Sequence, residues 1–262
     1  MIRSLLLVVL LLTGKAVLLA QCDGCGTGND CSTSVTQKDG STDPNLCEYP
    51  SNGGCSTNMT LLAVRGAGYS CCIPNGESPI VIDVEDKGFH LTSAQNGVMF
   101  DFFGNGTFQR LSWTEPGAGN AWLVLDRNGN GLIDNATEMF GNFTPQPPSK
   151  HPNGFLALAV FDSFAYGGNE DGVISAKDAI FTRLRLWQDA NHNGISEPEE
   201  LHTLPELGVD EISLKFEEDR EVDAFGNRFR YRALVRSAAG LLPDRWAYDV
   251  FVVALPSDKD PR

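Results

Sequence analysis

Three short stretches of this chain place oxygen-bearing side chains at alternate positions before a glycine, an arrangement that wraps a hard cation. The first carries Asp126, Asn128 and Asn130 at positions 1, 3 and 5, Gly131 at 6, Ile133 at 8 and Asp134 at 9. Thr137 stands at position 12, where a bidentate glutamate is usual; Glu138, one residue later, is expected to take that role with a longer reach. The second stretch carries Asp189, Asn191, Asn193, Gly194, Glu197 and Glu200 at positions 1, 3, 5, 6, 9 and 12 and is the most specific match. It departs in having Ile195 at 7 and Ser196 at 8, where an apolar residue is usual, so the pairing between loops is expected to differ.

The third stretch places Asn169, Asp171, Gly172, Ile174, Ser175 and Asp178 at positions 3, 5, 6, 8, 9 and 12. Position 1 falls on Gly167, which has no ligand; Asp162 reaches that place if residues 163–167 bulge out. Each loop alone reads equally well as a polar turn, since Asn-Gly and Asp-Gly are the commonest turn formers. Three close together point to calcium, whereas magnesium keeps more of its waters and seldom uses an all-protein cage. The segments at Asp83–Gly88 and Asp101–Gly106 resemble worn copies of the motif, the latter with Phe103 replacing an oxygen ligand.

No catalytic residue is assigned. His90, His151, His192 and His202 form no HExxH, and no GxSxG is present. His192 occupies a non-ligand position of the second loop and is expected to be solvated.

The elements that must hold these loops read as short strands and helices. Ile80–Ile82, Ala121–Leu125, Ile212–Phe216, Asn227–Leu234 and Trp246–Ala254 are expected strands, with a hairpin turn at Phe225–Arg228. Helices are expected over Asn153–Phe161, from Ser175 onward, where Ser-x-x-Asp is a capping signature, and over Pro198–Leu204. The expected fold class is α+β: antiparallel strands and short helices organised around EF-hand-like calcium loops, preceded by a small disulfide-rich segment.

The chain as a whole has 262 residues, 42% hydrophobic, enough for a sizeable core. Its net charge of −14 disfavours nucleic acid as a partner and suits carboxylate binding of cations. Residues 1–20 read as a signal peptide, with a membrane anchor as the alternative. All seven cysteines lie in residues 21–78, a Gly/Ser/Thr/Asn-rich segment expected to be stapled by disulfides outside the cytoplasm; Cys22 is also a candidate for lipidation. Residues 79–255 form the calcium-binding domain, and residues 256–262 a tail. No transmembrane span is expected in the mature chain.

The runs Pro79-Ile80-Val81-Ile82-Asp83, Leu125–Gly131, Glu138-Met139-Phe140-Gly141, Asn153-Gly154-Phe155 and Leu186–Asn191 together carry a resemblance. Residues 79–250 resemble the calcium-binding, self-processing module of RTX-type secreted bacterial proteins. That resemblance implies a module folded by calcium, which then cuts itself at an Asp-Pro bond just before the Ile/Leu-Asp strand, the freed aspartyl end linking to a lysine. This chain has Ser78-Pro79 at the matching place, so no side-chain carboxylate is available to attack its own peptide bond. Calcium binding is therefore carried over and self-cleavage is not. The expected function is that of a secreted calcium-binding protein, structural or adhesive at the cell surface, with calcium and an extracellular or cell-surface protein as partners. A calcium-triggered autoprotease and a secreted hydrolase with scaffold calcium are the alternatives.

Overall fold

Apolar residues in this chain come in unbroken runs, Ile80-Val81-Ile82 and Ala121 to Leu125, and each run is buried on both sides of a sheet. The computed structural model describes residues 78–255, apart from 103, 105 and 238–241, together with five short strands between residues 35 and 74. The chain divides into two units, residues 1–74 and 75–262. The expected signal peptide, disulfides, lipidation of Cys22 and tail lie outside the described residues and side chains.

In the first unit, β1 (Val35–Thr36) pairs with β2 (Thr42–Asp43). There, β3 (Cys47–Tyr49), β4 (Met59–Ala63) and β5 (Ser70–Pro74) form a three-stranded antiparallel sheet in the order β3-β5-β4.

The second unit begins with β6 (Ile80–Asp83), the two-stranded pair β7 (Val98–Phe100) and β8 (Gln109–Leu111), and β9 (Asn120–Val124). Helix α1 (Gly154–Ala159) follows, then β10 (Val173–Ser175), β11 (Arg185–Trp187), β12 (Leu201–His202) and β13 (Glu211–Ser213). The long strands β14 (Glu217–Val222), β15 (Arg228–Arg236) and β16 (Arg245–Phe251) complete it. Nine strands make one antiparallel sheet in the order β10-β13-β15-β16-β6-β9-β11-β12, with β14 on the edge of β15.

Alternation explains the unbroken runs. Ile80, Ile82, Ala121, Leu123, Leu186 and Ala247 point into one core with Phe140, Phe155 and Leu158. Val81, Trp122, Val124, Trp187 and Tyr248 point into the other with Phe100 and Trp113. Trp113 lies 4.9 Å from Trp122 and 5.3 Å from Trp187, ring centre to ring centre, at the middle of this second core. An antiparallel strand buried on both faces loses the apolar–polar alternation that usually marks it.

The α+β expectation is overturned. The described residues hold one short α-helix, α1, capped by the Asn153 side chain accepting the Leu156 N–H at 3.0 Å. The first two ion loops are flanked by strands and single 3₁₀ turns, and the third alone follows the helix, α1 passing through a 3₁₀ turn at Val160–Asp162 into Asp162. Pro198–Glu200 is one such turn and runs straight into β12. At Ser175 the capping signature forms, since Asp178 Oδ2 accepts the Ser175 N–H at 2.8 Å. The chain nevertheless continues as successive turns and enters β11 at Arg185, ten residues on, a span too short to repay the cost of helix nucleation. No helix among the described residues is long and apolar enough to cross a membrane.

Candidate functional site

Strand ends in this domain open into turns of one repeated shape. At Asp83, Asp101, Asp126 and Asp189 the carboxylate Oδ2 accepts the N–H of the glycine five residues on, at 2.7, 2.7, 2.8 and 2.8 Å. At Asp162 it accepts from Gly172, ten residues on, at 2.9 Å. All five of these glycines have positive φ, from 74° to 86°. The residue two before each glycine is also left-handed: Asp86, Gly104, Gly129, Glu170 and His192. These include every non-glycine residue with positive φ among the described residues. Left-handed backbone disfavours a Cβ, so its recurrence at one place in five turns marks a shape imposed by the loop.

The two best sequence matches close alike through one carboxylate oxygen, the second oxygen taking the Asp134 N–H in the first loop and the Trp187 indole N–H in the second. Glu138 Oε1 accepts the N–H groups of Arg127 and Asn128 at 3.0 and 3.4 Å, and Glu200 Oε1 accepts those of Ala190 and Asn191 at 2.8 and 3.3 Å. Glu138, offset by one residue in sequence, thus occupies the same place as Glu200. Both are buried, at 2% and 6% exposure. Opposite them, Asp134 Oδ2 accepts from Asn128 and Asn130 at 2.9 and 2.8 Å, and Glu197 Oε1 accepts from Asn191 and Asn193 at 3.3 and 2.8 Å. The hydrogen bond from Asn193 is the main cause holding the Glu197 carboxyl below its ordinary pKa, whereas burial pushes that of Glu200 up.

The third loop has the bulge that its spacing requires. Residues 163–167 swing out through a 3₁₀ turn at Phe164–Tyr166, and Asp162 returns to position 1. Asp162 Oδ1 and Asp178 Oδ1 are buried without a hydrogen-bond partner. Asn169 donates to Asp171 at 2.8 Å, and the Lys177 ammonium reaches the same oxygen at 3.0 Å. Ser175 Oγ accepts the Lys177 N–H at 3.3 Å.

These donor sets fit a hard, oxygen-seeking cation: a carboxylate opens and a carboxylate closes each loop (Asp126 and Glu138, Asp162 and Asp178, Asp189 and Glu200), asparagine amide oxygens lie between, and carboxylate oxygens are orphaned in the third loop and at Glu197. Among the described residues no group of three or more His, Cys, Asp or Glu gathers as a metal cluster. In the first two loops the carboxylates face their own backbone N–H groups and asparagine amides, so a cation has to displace donors on entry. A cavity of about 220 Å³ opens beside Asp189, Ala190, Glu199 and Glu200.

The sequence did not reveal the partners of His192 and Ser196. His192 is half-buried rather than free in solvent: its Nδ1 lies 3.0 Å from the Thr114 carbonyl and its Nε2 2.8 Å from the Asn96 carbonyl, fastening the second loop to the β7–β8 region. The two loops also meet, the Ile133 N–H donating to Ser196 Oγ at 2.6 Å. Polarity alone gave no sign of either partner.

Ser78, at the place where the resemblance implies a scissile aspartate, is 2% exposed. Its N–H donates to Asn142 Oδ1 at 3.0 Å and its hydroxyl accepts the Asn142 N–H at 3.1 Å. The Ser78 hydroxyl donates to Asn142 Oδ1 at 3.3 Å, while Asp249 Oδ2 accepts the N–H of Gly154 at the start of α1 and Asp249 Oδ1 is buried without a hydrogen-bond partner. Asp249 is fully buried, and burial pushes its carboxyl up to about 7.

A family model described as the SPM domain matches residues 80–245. The iron-regulated protein FrpA of Neisseria meningitidis serogroup C is 39% identical over 145 residues, covering 53% of this chain and 12% of that protein. The chain therefore spans a small part of that relative's length.

Proposed function

The chain belongs to the SPM domain family, and from that membership and the loop geometry we propose that it is a secreted calcium-binding protein with a structural or adhesive role at the cell surface. The observation that carries the calcium reading is the closure of two loops by Glu138 and Glu200 through the same pair of backbone N–H groups, despite their different spacing. Two carboxylates that cross their loops to the same two N–H groups stand where a bidentate ligand closes a calcium shell. Asp126, Asn128, Asn130, Asp134 and Glu138 hold one ion; Asp189, Asn191, Asn193, Glu197 and Glu200 hold a second. Asp162, Asn169, Asp171, Ser175 and Asp178 form a third site, in which Lys177 competes with the ion.

Binding replaces the repulsion among the carboxylates of each loop with attraction to one cation. Its effect on stability follows mass action: at a hundredfold excess over the dissociation constant, each site adds about 2.7 kcal/mol. The test is a thermal melt in chelator against one in ten-millimolar calcium, with magnesium as control. A rise of many degrees specific to calcium is expected, and coincident melts overturn the reading. Self-cleavage is the rival. Ser78 speaks against it, because a hydroxymethyl side chain cannot form the cyclic anhydride that an aspartate forms with its own carbonyl.

A further inference from the structure

We infer that Ser196 couples the first and second ion loops, so that filling one raises the affinity of the other. The inference rests on the calcium reading and concerns the regulation of that same pair of sites. The Ile133 N–H donates to Ser196 Oγ at 2.6 Å, and the two residues are 3% and 1% exposed. Both stand at position 8 of their loops. A backbone N–H in that setting needs an acceptor, and here a side-chain hydroxyl supplies it.

Position 8 lies between two ligand positions in each loop. Ile133 is flanked by Leu132, whose carbonyl is at position 7, and by Asp134 at position 9. Ser196 is flanked by Ile195 and Glu197 in the same way. An ion that fixes Leu132 and Asp134 therefore fixes the direction of the Ile133 N–H. That bond in turn holds Ser196, and with it the two ligand positions on either side. The second ion then meets a loop already ordered, which is positive coupling through shared ordering. The second loop is well placed to transmit it. His192 ties it to Asn96 and Thr114, and a Cβ on Gly194 would meet the Met99 carbonyl oxygen at 2.9 Å, so the loop moves with β7 or not at all.

The experiment is calcium titration calorimetry on the full chain, as a double-mutant cycle. Glu200→Gln cripples the second loop. With Ser196 intact, it should also weaken binding at the first loop by a factor within the usual coupling range, roughly 5–150-fold. With Ser196→Ala, the same Glu200→Gln change should leave the first loop's affinity unaltered. Ser196→Cys keeps the size but offers a poor acceptor, and should behave like Ser196→Ala. Slowed exchange of the Ile133 amide on calcium binding, lost in both Ser196 variants, reports the bond directly and does not depend on fitting the isotherm. Calcium binding with the coupling undiminished in both Ser196 variants overturns this inference alone. No calcium binding to the unaltered chain overturns the calcium reading, and the inference with it.

Discussion

The indole N–H of Trp187 donates to Glu200 Oε2 at 3.2 Å, joining the middle of an aromatic core to the closing residue of an ion loop. Trp187 is fully buried and Glu200 is 6% exposed. Trp187→Phe should keep most of the packing and remove this bond, at a cost of about 1 kcal/mol. The released Glu200 should then bind calcium with altered affinity. Calcium titrations of Trp187→Phe and the unaltered chain check this, and identical isotherms refute it.

Glu200→Gln and Glu138→Gln should each remove a separate part of the calcium-induced rise in melting temperature, because a neutral amide is a weaker calcium ligand. The measurement is the melt in calcium minus the melt in chelator for each variant. A full rise in either variant shows that its glutamate does not close a site.

Backbone shape gives a third expectation. A Cβ added at Gly131 (φ 85°) meets nothing within 4 Å, whereas one added at Gly194 (φ 74°) meets the Met99 carbonyl oxygen at 2.9 Å and Val98 at 3.0 Å. Gly131→Ala should cost about 1–2 kcal/mol, the left-handed penalty alone. Gly194→Ala should cost clearly more. Urea unfolding of both variants in chelator decides it, and equal losses refute the contact.

The buried acid predicts a pH dependence. Asp249 titrates at about 7 in the folded chain against 3.8 when free, so the folded state holds its proton more tightly. Stability from this group is full below about pH 4 and falls as pH rises to 7, by up to about 4 kcal/mol. Asp249→Asn should therefore flatten the pH profile between 4 and 7 and be relatively more stable at pH 8. Denaturant midpoints at pH 5 and 8 test this. An unchanged slope in the variant rules it out.

Incubation with millimolar calcium should leave the chain in one piece, since position 78 lacks a carboxylate. Ser78→Asp puts a second acid beside Asp249. A denaturing gel and mass measurement of both proteins check the outcome, and scission of the unaltered chain next to Pro79 would contradict the proposal.

Much of the loop architecture was legible because oxygen side chains at alternate positions and a glycine at the sixth allow few other shapes. The return of Asp162 across its bulge followed from counting residues to Gly172. The sheet's strands were legible as apolar runs, but their burial on both faces was not, since Ile80-Val81-Ile82 reads the same in many settings. The helices at Ser175 and Pro198 failed for one reason: a capping or proline signal starts a turn, and only the residues beyond decide whether it propagates. Ser196 at position 8 signalled a changed pairing between loops, but its partner Ile133, and the partners Thr114 and Asn96 of His192, were not foreseen because they are distant in sequence.

In the sheet, β6 lies between β9 and β16, so the domain's first strand is hydrogen-bonded to its last. A chain growing from its N-terminus can pair β6 with β9 early, but the other edge of β6 stays open until Ala247 and Tyr248 exist to meet Ile82 and Val81. The domain is thus a closed circuit whose final link is made last. Its folding should be slow, dominated by a contact of long sequence separation, and complete only once β16 has left the ribosome. Truncation within β16 should leave an exposed strand edge, prone to pair with other chains.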